Sequence, residues 1–262
     1  MKSVVIVGGG PASTYAVMAC AELGIKPVVF IRSFNIQAGA FWFKWLPESL
    51  RSEFSSDKIH VGSVGSSDGY VKKQWGSVIP GYKSSFPSTP FEEQGYNPEM
   101  VMKHVLITSD MCESTPSSRD FTDGDLLRLR RDFDIVFHSF PTERAADSNK
   151  HLMIKFPVRI EDSDDSDNEV IYNGLPNSWV VRMSNLWGRR YAELPPVKFV
   201  DSHGDRNMVF PTDLKPFITP VECYPLSKLI VPIGRLARFD RKMQAHDNYE
   251  LVLGKIKYEL SI

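Results

Sequence analysis

The sequence predicts an α/β fold, a parallel sheet flanked by helices with a small β-rich part attached. Three observations predict it. Residues 1–33 run through a β-branched stretch, a glycine-rich turn, an apolar helical stretch and a second β-branched stretch. A second strand, glycine and helix follow one another around residue 234. The stretches between carry aromatics, Ser, Gly and Pro, with short apolar runs of strand length and little helical periodicity.

Val4-Val5-Ile6-Val7 suits a strand buried on both faces. Gly8-Gly9-Gly10-Pro11-Ala12-Ser13 follows at once, then an apolar helix from Tyr15 and a strand at Val28-Val29-Phe30-Ile31. This is the order of a Rossmann-like dinucleotide unit. Gly8 permits the tight turn and Gly10 lets the backbone approach a pyrophosphate. Pro11 and Ala12 complete the turn, and the N-terminus of the helix that follows offers unpaired N–H groups to the anion. Ser13 stands where a third glycine is usual, and its small side chain still allows close helix–strand packing. The plainer reading is an ordinary βαβ unit with a glycine turn; the register of all four parts favours the dinucleotide. The second strand ends in Ile31-Arg32-Ser33, without the acid that holds an adenosine ribose. Arg32 suits either a 2′-phosphate, as in NADP, or a phosphate of FAD.

The chain has 262 residues, a net charge of −1, 42 % hydrophobic and 24 % charged residues, which suits one compact unit and argues against a surface devoted to coating nucleic acid. Cys20, Cys112 and Cys223 form no CxxC pair, so a reducing, cytoplasmic location is expected. No apolar run reaches membrane-spanning length, and the N-terminal apolar segment belongs to the nucleotide unit, not to a signal peptide. No metal-ligand spacing occurs, and none is expected to be filled.

In Gln37-Ala38-Gly39-Ala40-Phe41-Trp42-Phe43-Lys44-Trp45, Gly39, Ala40, Phe41 and Trp42 are candidates to pass under a flavin, with Trp42 or Trp45 flanking a ring; burial in the core explains the aromatics equally well. Residues 52–98 read as turns and short strands, with Tyr70, Trp75, Tyr96 and Asn97 as candidate walls for a planar or sugar-like polar ligand. Residues 99–108 suggest a short helix entering a strand, 109–123 a polar loop, and 126–131 a helix with a basic face. Residues 134–141 read as a buried strand ending at a loop, where His138 is either a base or a structural residue. Six acids among residues 161–169 mark a solvated loop, lacking the spacing of a calcium site. Residues 170–174 and 179–184 suggest a strand pair in which Arg182 needs an anionic partner or ligand. Gly234 and Arg235 then separate the strand at 229–233 from a helix over 243–256.

These two ends together resemble the FAD-dependent fold shared by amine oxidases and UDP-galactopyranose mutases. Residues 4–31 are similar to its N-terminal FAD fingerprint, 134–141 to the strand returning towards the flavin, and 180–187 to a substrate-domain strand carrying an arginine. Glu222-Cys223-Tyr224-Pro225-Leu226, then Gly234-Arg235-Leu236-Ala237-Arg238-Phe239 and residues 243–247, resemble the mutases' closing motif. The resemblance implies that Gly234 and Arg235 meet the FAD pyrophosphate and that the following helix points at the isoalloxazine. It also implies FAD parts near 1–50, 99–145 and 222–262, and a cut-down substrate cap near 51–98 and 146–221. Gln74-Trp75-Gly76 and Gly95-Tyr96-Asn97-Pro98 look similar to compact bacteriophage flavoenzymes that remodel thymine in DNA, which makes a modified nucleobase and DNA candidate partners. The function implied is oxidation or cleavage of a C–N bond in an amine or amino-acid-modified substrate. His138 and His246 are its candidate bases, since imidazole titrates near pH 6.5, and Trp45, Tyr70, Trp75, Tyr96, Asn97 and Arg182 its candidate substrate contacts. A mutase-like sugar isomerase and an NADP-binding reductase or sensor are the alternatives.

Overall fold

The computed structural model describes residues 3–32, 41–75, 84–118, 121–140, 153–195, 207–211, 229–238 and 243–261. In chain order these form β1 (Val4–Val7), α1 (Pro11–Glu22), β2 (Val28–Ile31), α2 (Glu48–Arg51), β3 (Asp57–Gly65), α3 (Ser67–Trp75), β4 (Phe91–Gly95) and α4 (Pro98–Lys103). A π-helical turn (His104–Thr108) extends α4. Then come β5 (Glu113–Pro116), α5 (Asp123–Asp132), β6 (Ile135–His138), β7 (Met153–Asp162), β8 (Glu169–Gly174), β9 (Arg182–Leu186) and β10 (Arg189–Glu193). The last are β11 (Asn207–Pro211), β12 (Ile230–Pro232), α6 (Gly234–Arg238) and α7 (Asp247–Leu260).

Five strands form a wholly parallel sheet in the order β5-β2-β1-β6-β12. The chain winds outward from β1 through β2 to β5, then returns to lay β6 on the other side of β1. The order therefore reverses between β1 and β6, and the crevice beyond their carboxyl ends is where doubly wound sheets bind ligands. Every residue of β1 and β6 is buried. Alternation sends Val4, Ile6, Ile135 and Phe137 to one face, where α1 and α7 pack. Val5, Val7 and Val136 go to the other, against Leu126 and Leu129 of α5. Helix α1 is buried from Ala12 to Cys20, which makes it an interior helix between sheet and α7.

The second sheet runs β11-β7-β10-β9-β8-β3-β4, antiparallel throughout except between β3 and β8. Its inner face buries Ile59, Val61, Val158, Val170, Leu186 and Tyr191. Residues 41–46 stitch the two sheets together by strand-like alternation. Phe41, Phe43 and Trp45 pack into the core of the parallel sheet, while Trp42 packs into that of the second. A two-way backbone bridge between Phe43 and Tyr96 holds the stitch, at 3.2 and 2.9 Å.

Several elements differ from the sequence-based expectation. Residues 52–98 contain a nine-residue strand, β3, and a helix, α3. Ser67, Asp68 and Gly69 hide the helix signal, yet the glycine is required: a Cβ there would lie 2.1 Å from the Gly174 carbonyl oxygen. Lys73 then ties α3 to β8 through Asn173 Oδ1 and the carbonyls of Asn173 and Val180, each at 3.1 Å. The expected strand after residue 99 is instead the π-helical turn, because Val105 and Leu106 both pack into the core beside α1. The expected polar loop 109–123 contains β5, a short polar edge strand ending in proline. Strand β10 arises from a two-residue hairpin with positive φ at Trp187 (49°) and Gly188 (74°), the conformation that matches strand twist. Cys20 and Cys112 are buried and free; Cys223 lies outside the described residues. Among the described residues no group of three or more His, Cys, Asp or Glu is placed to hold a metal ion, and no helix is long and apolar enough to cross a membrane.

Candidate functional site

The crevice at the strand-order reversal is built from Gly8 upward. Gly8 has φ +131° and donates its N–H to the Phe30 carbonyl at 2.8 Å. A Cβ there would lie 1.9 Å from Ser139 Oγ and 3.1 Å from Ser13 Oγ, so only glycine lets β1, β6 and α1 meet so closely. Gly10 is the N-cap of α1, and a Cβ built on it would meet nothing within 4 Å. The helix starts with Pro11 at N1, has no acid in its first turn and no side-chain cap. Its geometry leaves the N–H groups of Ala12 and Ser13 without intrahelical acceptors, at the positive end of the dipole. Ser13 is wholly buried and its Oγ has no hydrogen-bond partner among the described residues. Leaving such a hydroxyl unpaired costs about 1–3 kcal/mol. An open glycine, free helix donors and an orphaned hydroxyl fit a bound pyrophosphate.

A second glycine turn closes on the first. Gly234 has φ +78°, and a Cβ on it would lie 2.8 Å from Ala12 Cβ. Its N–H donates to Asn248 Oδ1 at 2.7 Å, so Gly234 serves by its thinness and its own donor is already committed. The side chain of Arg235 lies outside the described residues, as do Gly39 and Ala40. Half-exposed His246 stands at the start of α7, edge-on to Tyr15 with ring centroids 6.5 Å apart. Tyr15 donates its hydroxyl to the Trp45 carbonyl at 2.5 Å, and burial pushes its pKa up. Arg32 is exposed at the carboxyl end of β2. The structure thus gathers Gly8, Gly10, Pro11, Ala12, Ser13, Gly234 and the start of α7 at one crevice.

The other candidates are placed as follows. His138 is 2 % exposed on the α5 side of the sheet, with Nδ1 2.8 Å from the Phe140 carbonyl oxygen. Burial pushes its pKa down to about 4, which keeps the imidazole neutral near pH 7. Arg182 finds its anionic partner inside the fold: Nε donates to Glu193 Oε1 at 2.9 Å, Nη2 bonds the same oxygen, and the side chains are 14 % and 6 % exposed. Tyr70 is buried against Phe86 and Tyr172, its hydroxyl accepts from Gln74 Nε2 at 2.7 Å, and burial pushes its pKa up to about 12. Asn97 caps α4, its Oδ1 accepting from the N–H groups of Glu99 and Met100 at 3.0 and 3.3 Å. Tyr96 packs against the parallel-sheet core, and its backbone makes the bridge to Phe43. Trp45 stacks on Tyr15 and meets Tyr249 edge-on at 5.0 Å, between α1 and α7. Phe41 is half-buried and edge-on to Phe43 at 5.9 Å. The side chain of Trp75 lies outside the described residues.

Trp42 leads to a pair that sequence reasoning missed. Its indole N–H is buried without a partner among the described residues, and so is Glu93 Oε1. Lys44 Nζ joins them, 2.8 Å from Glu93 Oε2 and 5.6 Å from the Trp42 ring centroid. The inner face of the second sheet therefore offers an unused donor and an unused acceptor beside one ammonium. Nothing local marks Glu93 in the sequence. Asn248, also missed, does leave a signal: it interrupts the apolar stripe it shares with Val252 and Ile256.

No known family model matches the sequence, and no curated protein is significantly similar to it. Among solved structures, the fold is similar to that of reduced UDP-galactopyranose mutase, with TM-score 0.61 and 9 % identity over 100 % of this chain and 96 % of that one. L-proline dehydrogenase from P. horikoshii gives TM-score 0.51 and 9 % identity over 98 % of this chain and 92 % of that one. Peptidyl tryptophan dihydroxylase QhpG gives TM-score 0.51 and 10 % identity over 99 % of this chain and 66 % of that one. At these identities the likeness is one of fold: this chain has a mixed α/β, Rossmann-like fold similar to theirs.

Proposed function

We propose that this chain is an FAD-dependent enzyme that oxidises a carbon–nitrogen bond of an amine or amino-acid-modified substrate, a modified nucleobase in DNA included. The meeting of two glycine turns at the strand-order reversal, Gly8–Gly10 against Gly234, carries the cofactor half of this reading. Backbone donors of Ala12 and Ser13, the Ser13 hydroxyl and Arg235 would hold the pyrophosphate, and Arg32 would face the adenosine end in place of the usual acid. The parallel sheet is then the cofactor part and the second sheet the substrate cap. When bound, the flavin supplies hydride acceptance from a carbon beside nitrogen, turning an amine into an imine that water hydrolyses.

The chain's own residues bind, orient and manage protons. His246, half-exposed at the start of α7, exchanges the amine proton with solvent. The purified protein is expected to be yellow, and anaerobic mixing with amine substrates to bleach the oxidised-flavin band. Turnover that requires prior reduction and consumes no oxidant would instead establish the sugar-isomerase alternative. A colourless protein that cannot be reconstituted with FAD but binds NADPH, with the affinity lost in Arg32→Ala, would sink the flavin reading.

A further inference from the structure

We infer that Asn248 is a positioning residue of the cofactor crevice, holding the Gly234–Arg235 turn at the distance from α1 that a dinucleotide needs. The inference rests on the FAD reading. Asn248 is wholly buried near the start of α7. Its Oδ1 accepts from the Gly234 N–H at 2.7 Å, and its Nδ2 donates to the carbonyls of Ala245 at 2.8 Å and Gln244 at 3.4 Å. One side chain thus serves one backbone donor on the turn and two backbone acceptors ahead of α7. A carboxamide carries one acceptor oxygen and two N–H donors, which matches these three backbone partners.

The geometry around Gly234 turns this into a clamp. On one side the turn touches Ala12 in the first turn of α1, closely enough that a Cβ would collide at 2.8 Å. On the other it is tied to Asn248. The turn is therefore held between the two helices whose starts line the crevice. Asn248 also occupies a place in a stripe with Val252 and Ile256 where an aliphatic residue would serve packing alone. Its side chain instead sets the height of the turn over the first turn of α1.

The test uses the full-length chain, with FAD as the probe. Asn248→Ala is expected to keep the far-UV circular dichroism of the wild type, to weaken FAD binding at least tenfold, and to speed amide hydrogen exchange at Gly234. Asn248→Asp keeps the acceptor but regains a donor only when protonated, so its FAD affinity falls as pH rises, in a range where the wild type is flat. FAD affinity within twofold of wild type in Asn248→Ala overturns the proposal, whatever happens to exchange. Should that variant fail to fold, the Asn248→Asp profile decides alone, and a flat profile overturns it. A wild type that binds no FAD overturns the cofactor reading instead. Gly234 exchange in the apoprotein then still decides the clamp, which falls if Asn248→Ala exchanges at the wild-type rate.

Discussion

Ser13 of α1 and His138 of β6 are both buried polar residues, one without and one with a hydrogen-bond partner among the described residues. Ser13 Oγ has no partner among the described residues, so Ser13→Ala removes an unsatisfied hydroxyl and should raise apoprotein stability by about 1–3 kcal/mol. If the hydroxyl serves a phosphate, the same change weakens FAD binding about tenfold, the worth of one charge-assisted hydrogen bond. Fluorescence titration of the apoprotein reads this, and unchanged affinity would show that the hydroxyl does not reach the phosphate. His138 acts on stability instead. Its folded pKa of about 4 lies below the ordinary 6.5, so the unfolded chain takes the proton first as pH falls. The stability it carries is complete above about pH 6.5 and is lost towards about pH 4, on the order of 3 kcal/mol in all. His138→Gln should therefore lose less melting temperature across that window. Equal slopes would mean that the buried imidazole is not the group that titrates.

Within elements, the β9–β10 hairpin sets the energetics of the second sheet. Its register places Arg182 opposite Glu193, and Tyr172 lies 5.6 Å from the guanidinium on the other side. Removing one partner leaves the other charge buried and unpaired, so Glu193→Ala should cost about 3–5 kcal/mol in urea unfolding. The double change Arg182→Met with Glu193→Leu should cost far less, because both charges leave together. A double variant as unstable as Glu193→Ala would show that packing, not charge, is what the pair maintains. Sequence reasoning recognised that Arg182 needed an anion but not which one. The partner depends on a two-residue turn at Trp187-Gly188, whose first residue is not a usual choice for positive φ.

At the scale of the whole molecule, the chain joins two sheets through residues 41–46, where Trp42 enters the core of the second sheet and Phe41, Phe43, Trp45 and Leu46 enter that of the first. The sequence by itself determined parallel-sheet strands at 4–7 and 28–31 and within 134–141, a helix from Tyr15 after the glycine turn, and the strand–glycine–helix order around Gly234. Those features depend on neighbours a few residues away: β-branched runs, a proline at N1, glycines where φ turns positive. Only the tertiary structure decided that His138 is sealed, that Arg182 is neutralised by Glu193, that Asn97 is spent on a helix cap, and that Asn248 reaches Gly234. It also decided that residues 67–75 form a helix, since Gly69 makes sense only against the Gly174 carbonyl of β8. The physical reason is common to all of these. A side chain's charge, burial and free hydrogen-bonding capacity are properties of its surroundings, and strand register and helix packing bring those surroundings from distant parts of the chain.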